Sequence, residues 1–387
     1  MKDLFYTMKR AVGMRMVKQI SLKNKIRIIN VNQSCEPSGF WISKITAFLK
    51  VNGYELVFDQ SSCDIVLIYN CCVTSAMRDN AQAFIEESLQ ERSIKKVIIF
   101  GCIVDPDKNK KINQRIVTID LKEIGKLDQL FAHTISIEDI SAGSLDQHLF
   151  TPFHSTITLQ DYFVLICQGC TQSCSYCNIK KVKGGVVSRS IADIINDIQQ
   201  ALREGKKDVV LVGDDCGSYG ADIKTDLVVL IKAIIDQCPE VRLKINYLFP
   251  GHLIRLFPTL KEVIATGKVI YMNVPLQSGS ERILELMNRK YDMERIKEII
   301  REIKILAPSF WINTHIIFNF PTETREDFLS SLRVVSLFDD FAIFNYSDSP
   351  LTPASKIFPK VERQEGEKRL QICREMIKRV NHGQVRS

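Results

Sequence analysis

Between residues 25 and 100 the chain alternates short β-branched runs with amphipathic stretches. Ile26–Val31 reads as a buried strand, followed by a loop through Gly39. Phe40–Val51 has helical spacing at Trp41, Ile45, Phe48 and Leu49, and Asn52-Gly53 stops it. Further strands are predicted at Glu55–Phe58, Ile65–Tyr69 and Lys96–Phe100, with a polar amphipathic helix over Ser75–Arg92. Such alternation predicts a small parallel α/β domain over 25–135. Residues 136–160 lack periodicity, carry Ser, Thr, Gly and Pro, and read as a linker. From Asp161 a strand, a loop and a helix recur six times. The strands are Tyr162–Ile166, Val209–Val212, Leu243–Leu248, Val269–Val274, Ile312–Phe318 and Phe341–Tyr346. Helices fall near 190–204, 225–237, 253–265, 280–306 (broken), 324–338 and 364–380. Six βα units are too few to close an eight-stranded barrel, so residues 161–387 should form a partial (βα)6 barrel with its site at the carboxyl ends of the strands. The fold class expected is α/β, and no strand-rich segment is expected after the last helix.

Composition narrows this picture little. A chain of 387 residues can hold two full cores, and 45% hydrophobic with 25% charged residues is ordinary for a soluble protein. No apolar run reaches spanning length and no apolar core follows the N-terminal charges, so neither a membrane span nor a secretory signal is expected. Residues 1–27 carry eight basic side chains against Asp3 alone. They read as a solvated leader over 1–24, the alternative being a phosphate-binding arm. A net charge of +7 permits nucleic acid without demanding it, and nothing points to DNA. Twelve Cys without an export signal argue for a reducing, cytoplasmic setting in which thiols are available to metal.

The chemistry centres on Cys170-Thr171-Gln172-Ser173-Cys174-Ser175-Tyr176-Cys177, a C-x3-C-x2-C run. Three thiolates this close can each take one iron of a cubane cluster and leave the fourth iron open, whereas ferredoxin spacing supplies a fourth Cys. A zinc site is the alternative, but zinc motifs pair C-x2-C units with another pair or with His, and no His lies between His154 and His252. Cys35, Cys72 and Cys102 each follow a predicted strand of the first domain. The carboxyl ends of parallel strands share one edge, where ligands bind, so these three Cys are expected to meet in a second cluster site, with Cys71 competing for the middle position. Cys63, Cys71, Cys167, Cys216, Cys238 and Cys373 read otherwise as ordinary thiols. Polar loops gather at the strand ends of the second domain as well: Gly213-Asp214-Asp215, Pro275 to Ser280, Asn319 to Thr324 and Ser347 to Pro353. They suit a ligand bearing ribose hydroxyls, an amine and a carboxylate.

The residues quoted, in order, resemble the radical S-adenosylmethionine (SAM) methylthiotransferases that modify tRNA adenosines and a ribosomal-protein aspartate. The resemblance runs from about 26 to 375. It includes Asn70-x-Cys72, Gly101-Cys102, Gly169-Cys170 through Cys177, Ser188-Arg189-Ser190 and Gly217-Ser218-Tyr219-Gly220 with Asp222. It continues through Val274 to Ser280 with Met287-Asn288-Arg289, Phe320-Pro321-x-Glu323-Thr324 and Thr352-Pro353-Ala354. It implies a barrel of radical SAM type and two [4Fe-4S] clusters. Cys170, Cys174 and Cys177 would hold the cluster that cleaves SAM, and Cys35, Cys72 and Cys102 an auxiliary cluster that delivers sulfur. One SAM methylates that sulfur, and a second yields the radical that removes hydrogen from an unactivated carbon, which then takes the methylthio group. Tyr176, Gln277, Ser278, Arg289 and Glu323 would be cofactor contacts, no side chain serves as acid or base, and a flavodoxin or ferredoxin would donate electrons.

Departures from the family pattern bear on the substrate. The usual Gly-Phe-Pro-Gly-Glu-Thr appears as Asn319-Phe320-Pro321-Thr322-Glu323-Thr324, and His315 stands where the family has an acid. Lys180 replaces a Pro within the basic run Lys180-Lys181-x-Lys183. Lys180 and Lys183 are therefore expected on the substrate side, and His315 in the core or on the substrate side, not as a metal ligand. The family's C-terminal β-barrel, which grips substrate, is not expected here. A peptide or protein side chain is the favoured substrate. The alternatives are tRNA, with the leader and Lys180 and Lys183 as phosphate contacts, and an iron–sulfur interaction protein without this activity.

Overall fold

The computed structural model describes residues 20–21, 24–33, 35–58, 62–103, 113–141, 148–151, 156–380 and 384–386. All but three residues of the basic leader lie outside them. The first five strands, β1 (Lys25–Asn30), β2 (Glu55–Val57), β3 (Ile65–Asn70), β4 (Lys96–Gly101) and β5 (Ile116–Ile119), make one parallel sheet ordered β2-β1-β3-β4-β5. The chain steps from β1 to β2 on one side, then returns to β3 on the other. This reversal sends helices α1 (Glu36–Val51) and α2 (Ser75–Gln90) to opposite faces and opens a crevice at the carboxyl ends of β1 and β3. Alternate strand residues serve each face: Ile85 of α2 packs with Val66, Ile68, Val97 and Ile99, while Ile42, Ile45 and Phe48 of α1 join the core containing Ile28, Leu67 and Ile98. Helix α1 begins four residues earlier than the apolar spacing indicates. Pro37 sits in its first turn, where a missing N–H costs nothing, and Gly39 N already donates to the Cys35 carbonyl at 2.9 Å.

After the short helix α3 (Lys126–Leu130), strand β6 (Tyr162–Leu165) opens the second sheet. An antiparallel pair, β7 (Cys167–Gln168) with β8 (Val187–Ser188), brackets helix α4 (Ile179–Lys183). Then follow α5 (Ile191–Arg203), β9 (Asp208–Val212), α6 (Leu227–Gln237), β10 (Arg242–Ile245), α7 (Pro250–Ala265), β11 (Val269–Asn273), α8 (Glu281–Leu286), α9 (Met293–Leu306), β12 (Trp311–Phe318), α10 (Arg325–Val334), β13 (Asp340–Asn345), α11 (Arg363–Val380) and β14 (Gln384–Arg386). Polar caps start these helices: Ser190, Asp226, Ser280, Asp292 and Thr324 each accept a backbone N–H of the first turn. The expected break in 280–306 falls at Asn288, whose φ is 53°.

The second sheet is parallel and ordered β14-β13-β12-β11-β10-β9-β6, each crossover stepping to the next strand in the same direction. It stays open, with β6 and β14 as its edges. The seventh strand is three residues long, too few to show an alternating pattern. Helix α1 packs against β6 and β9, so one apolar core runs through both sheets. The stretch read as a linker is packed as well, with Ile137, Leu149, Phe150 and Ile157 buried in that core. Among the described residues no helix is long and apolar enough to cross a membrane.

Candidate functional site

The loop 169–178 leaves β7 at the carboxyl edge of the second sheet, and neighbours fix its path. Gly169 has φ 78°, and a Cβ there would lie 2.2 Å from the Gly185 carbonyl oxygen, so no side chain fits. Asp214, beyond β9, accepts from Gly169 N at 2.8 Å, and Ser218 Oγ accepts from Thr171 N at 3.2 Å. On the far side Asn288 Nδ2 donates to Ser173 O (2.8 Å), and Ser175 N and Oγ donate to Met287 O (2.9 Å) and Leu286 O (2.8 Å). Each of the three sulfurs then meets an N–H donor: Gln172 N on Cys170 (3.3 Å), Ile179 N on Cys177 (3.4 Å) and Arg289 Nη1 on Cys174 (3.4 Å). Such donors stabilise thiolate sulfur and tune a cluster built on it. Burial pushes the thiols of Cys170 and Cys177 up to about 12, a cost that bound iron would reverse. Asp215 Oδ2 stands 3.9 Å from Cys170 Sγ and is held by Ser218 Oγ (2.6 Å) and His252 Nδ1 (2.9 Å). Burial alone would raise this carboxyl, but His252 and Ser218 keep it below its ordinary range.

The second group of thiols gathers at the crevice of the first sheet. Cys35 caps α1 beyond β1, Cys71 and Cys72 follow β3, and Cys102 follows β4. The strand ends are tied by Asn70: its carbonyl accepts from Cys102 N at 3.0 Å and its Nδ2 donates to Cys102 O at 2.6 Å. Cys72 and Cys102 share a hydrogen bond that lowers the Cys102 thiol to about 7 and raises Cys72. Cys35 is raised by burial and by the charges of Cys71 and Cys102. Both Cys71 and Cys72 thus lie beside Cys102, and the middle position stays shared between them. Among the described residues no group of three or more His, Cys, Asp or Glu side chains stands close enough to hold a single metal ion.

Lys183 joins the two groups. Its ammonium is 2.6 Å from Asp214 Oδ1, with both side chains at 7% or less exposure, and it lies within electrostatic reach of Cys102 and Cys35. Its place corrects the expectation of a phosphate contact, because it is paired with Asp214 out of solvent. Lys180 is exposed and donates to Ser173 Oγ at 3.0 Å. Asn178 and Arg78 both donate to the Cys72 carbonyl, at 3.3 and 3.2 Å, and both reach Ser349 Oγ, at 3.3 and 3.4 Å.

The expected cofactor contacts divide. Arg289 is buried: it meets Tyr176 Oη at 3.5 Å and Pro275 O at 2.5 Å, with its guanidinium 4.8 Å from the Phe249 ring centre. Gln277, at φ 76°, continues the strand edge by pairing with β12 and carries a buried Oε1 without a protein partner. Ser278 and Glu323 engage protein partners. Ser278 is fully buried and spends its hydroxyl on Ser331 Oγ (3.2 Å) and Ser280 N (3.1 Å). Glu323 pairs with Arg369 of α11 at 2.8 Å. His315 is a buried interior residue, 3.1 Å from Asn273 and edge-on to Tyr247 and Phe344. The sequence reading missed His252, Asn178, Arg78 and the pairing of Asp214. Tyr247 (φ 58°), Gln277 and Asn319 (φ 60°) put strained backbone at three successive strand ends, a feature that marks functional edges. Three free thiols with N–H donors fit an iron–sulfur cluster, and the unpartnered buried atoms Gln277 Oε1, Asn246 Nδ2 and Asn313 Oδ1 fit a polar ligand such as SAM.

Comparison with known proteins agrees with this geometry. The Radical SAM superfamily matches residues 164–335, and the uncharacterized protein family UPF0004 matches 32–122. Ribosomal protein uS12 methylthiotransferase RimO of Thermotoga sp. (strain RQ2) is 30% identical over 344 residues, covering 84% of this chain and 77% of that protein. The chain belongs to the radical SAM methylthiotransferase family. A second methylthiotransferase relative, the probable threonylcarbamoyladenosine tRNA enzyme of Pyrococcus abyssi, is 31% identical over 81% of this chain and 75% of its own length. Among solved structures, the radical SAM methyltransferase TsrM of Kitasatospora setae superposes with TM-score 0.58 at 13% identity, over 86% of this chain and 77% of TsrM. The radical SAM enzyme OxsB gives 0.52 at 11% identity, over 97% of this chain and 61% of OxsB, and both likenesses concern the fold alone. As a methylthiotransferase of this family the chain is an enzyme that uses SAM and [4Fe-4S] chemistry.

Proposed function

We propose that this methylthiotransferase replaces a hydrogen on an unactivated carbon of a polypeptide side chain with a methylthio group, using two clusters. Residues 161–387 would hold the SAM-cleaving cluster on Cys170, Cys174 and Cys177. Residues 25–135 would hold the auxiliary cluster on Cys35, Cys102 and Cys72. When bound, the first cluster and SAM supply a 5′-deoxyadenosyl radical, and the second supplies sulfur. The chain's own part is placement: Gly169, Asn288 and Ser175 set the loop, Arg289 holds Cys174 and Tyr176 together, and Asn178 and Arg78 fix the carbonyl of Cys72. The observation that carries the reading is that Asn178, next to Cys177, donates to the Cys72 carbonyl at 3.3 Å, which brings the two thiol-bearing loops together.

A polypeptide is favoured over tRNA because one of the two lysines expected to grip phosphate is buried and paired with Asp214. The relatives' names include both kinds of substrate. A cytoplasmic setting and a flavodoxin or ferredoxin as electron donor complete the proposal. The test is anaerobic reconstitution with iron and sulfide, then SAM, reductant and mass spectrometry of ribosomal proteins, small peptides and total tRNA. A mass gain of SCH3 for H on a polypeptide is the expected result. The same gain on tRNA alone overturns the substrate, and deoxyadenosine with no methylthio product overturns the sulfur transfer.

A further inference from the structure

Lys183 and Asp214 form a buried ion pair that the fold places at considerable cost. Desolvating two charges is repaid only where their geometry or their surroundings demand them. Asp214 is already engaged: its Oδ2 accepts from Gly169 N, at the entrance to the Cys170 loop, while its Oδ1 takes Lys183. Lys183 ends helix α4, which begins two residues after Cys177, and it lines a cavity together with Gly101 of the first sheet, the residue before Cys102. A neutral side chain would fill that space without the desolvation. Lys183 thus lines one cavity with Gly101 and Ile103, the residues on either side of Cys102, and its charge acts on Cys102 and Cys35, while that of its carboxylate partner acts on Cys177 and Cys102.

We infer that Lys183 is a positioning residue for the auxiliary cluster: held by Asp214, it sets a fixed positive charge beside Cys35 and Cys102 and stabilises the more negative state of the group they carry. The inference rests on the two-cluster reading above. Three thiolates and bridging sulfides give a cluster net negative charge, and one-electron reduction adds another. A cation held in a low-dielectric seam favours that added charge far more than one in water. The Asp214 carboxylate partly offsets it, on the Cys177 side and at Cys102, where the Lys183 charge is the larger influence. Lys183 thus separates the potentials of two clusters built on similar thiol sets.

The test is an anaerobic redox titration of the reconstituted full chain, followed by electron paramagnetic resonance and reduced stepwise with dithionite. The SAM-cleaving cluster is identified as the signal that changes on adding SAM. K183M should shift the SAM-insensitive signal to more negative potential, with a smaller shift in the SAM-responsive one, and K183R should restore the native values. Because K183M leaves Asp214 buried and unpaired, K183M/D214N removes the pair together and, with the opposing carboxylate gone as well, should show a smaller shift in the same negative direction in a chain that folds. Unchanged potentials in K183M/D214N, with both clusters present, overturn the inference. A native chain that reconstitutes with only one cluster, about four iron atoms, instead overturns the two-cluster reading.

Discussion

Replacing Arg369 with Met exposes how the last helix is held. Arg369 Nη1 lies 2.8 Å from Glu323 Oε2, with the two side chains 4% and 0% exposed, and Nη2 reaches the Glu323 carbonyl at 3.2 Å. Asn319 N is the other donor to that carboxylate, at 2.6 Å. Burial pushes the Glu323 carboxyl up to about 7, with Asn319 and Arg369 pulling the other way. A raised acid holds a proton in the native chain that the unfolded chain has already released. Its contribution is therefore full below the ordinary value of 4.5 and lost as pH rises through about 7, a window worth about 3 kcal/mol at 1.36 kcal/mol per unit. In R369M nothing neutralises the carboxylate, and breaking one half of a buried pair costs about 3–5 kcal/mol. Urea unfolding followed by circular dichroism should show that deficit at pH 8.5. At pH 5, where Glu323 is protonated in both chains, the deficit should fall to the lost packing and hydrogen bonds, about 1–2 kcal/mol. R369M/E323M should recover most of the loss. A deficit equal at both pH values would refute the reasoning.

G169A should lose about 2–5 kcal/mol, combining a left-handed residue with a Cβ driven into a backbone oxygen, read as a lower urea midpoint. R289K cannot reproduce the fork that meets Cys174, Tyr176 and Pro275, so deoxyadenosine formation should fall about 10–100-fold while the circular dichroism spectrum stays native. C170A/C174A/C177A should lose about half the reconstituted iron and all SAM cleavage, whereas C35A/C72A/C102A should lose similar iron and keep SAM cleavage.

What the sequence disclosed depended on how far apart the interacting residues stand. Cys170, Cys174 and Cys177 lie within eight positions, so their chemistry needs no fold. Cys35, Cys72 and Cys102 are distant, yet each follows a strong β-branched run, and parallel strands bring their ends to one edge. Lys183 was expected on the substrate side because its carboxylate partner lies 31 residues away in sequence. Ser278 and Glu323 sit in motifs that resemble the family's, but their partners Ser331 and Arg369 are 53 and 46 positions away. The β7–β8 pair and β14 are two or three residues long, too short for any period to register. Pro37 was read as a loop residue because a proline signals a helix start only once the chain on either side is placed.

The carbonyl of Cys72 has a mechanical consequence. Asn178 from one half and Arg78 from the other grasp it together, and both also clasp Ser349, making four bonds at one point. Prising the halves apart like a clamshell would drag a thiol-bearing loop out of register with its partners. A guest that spreads the halves would first have to break the bonds of Asn178 to the Cys72 carbonyl and of Arg78 to Ser349.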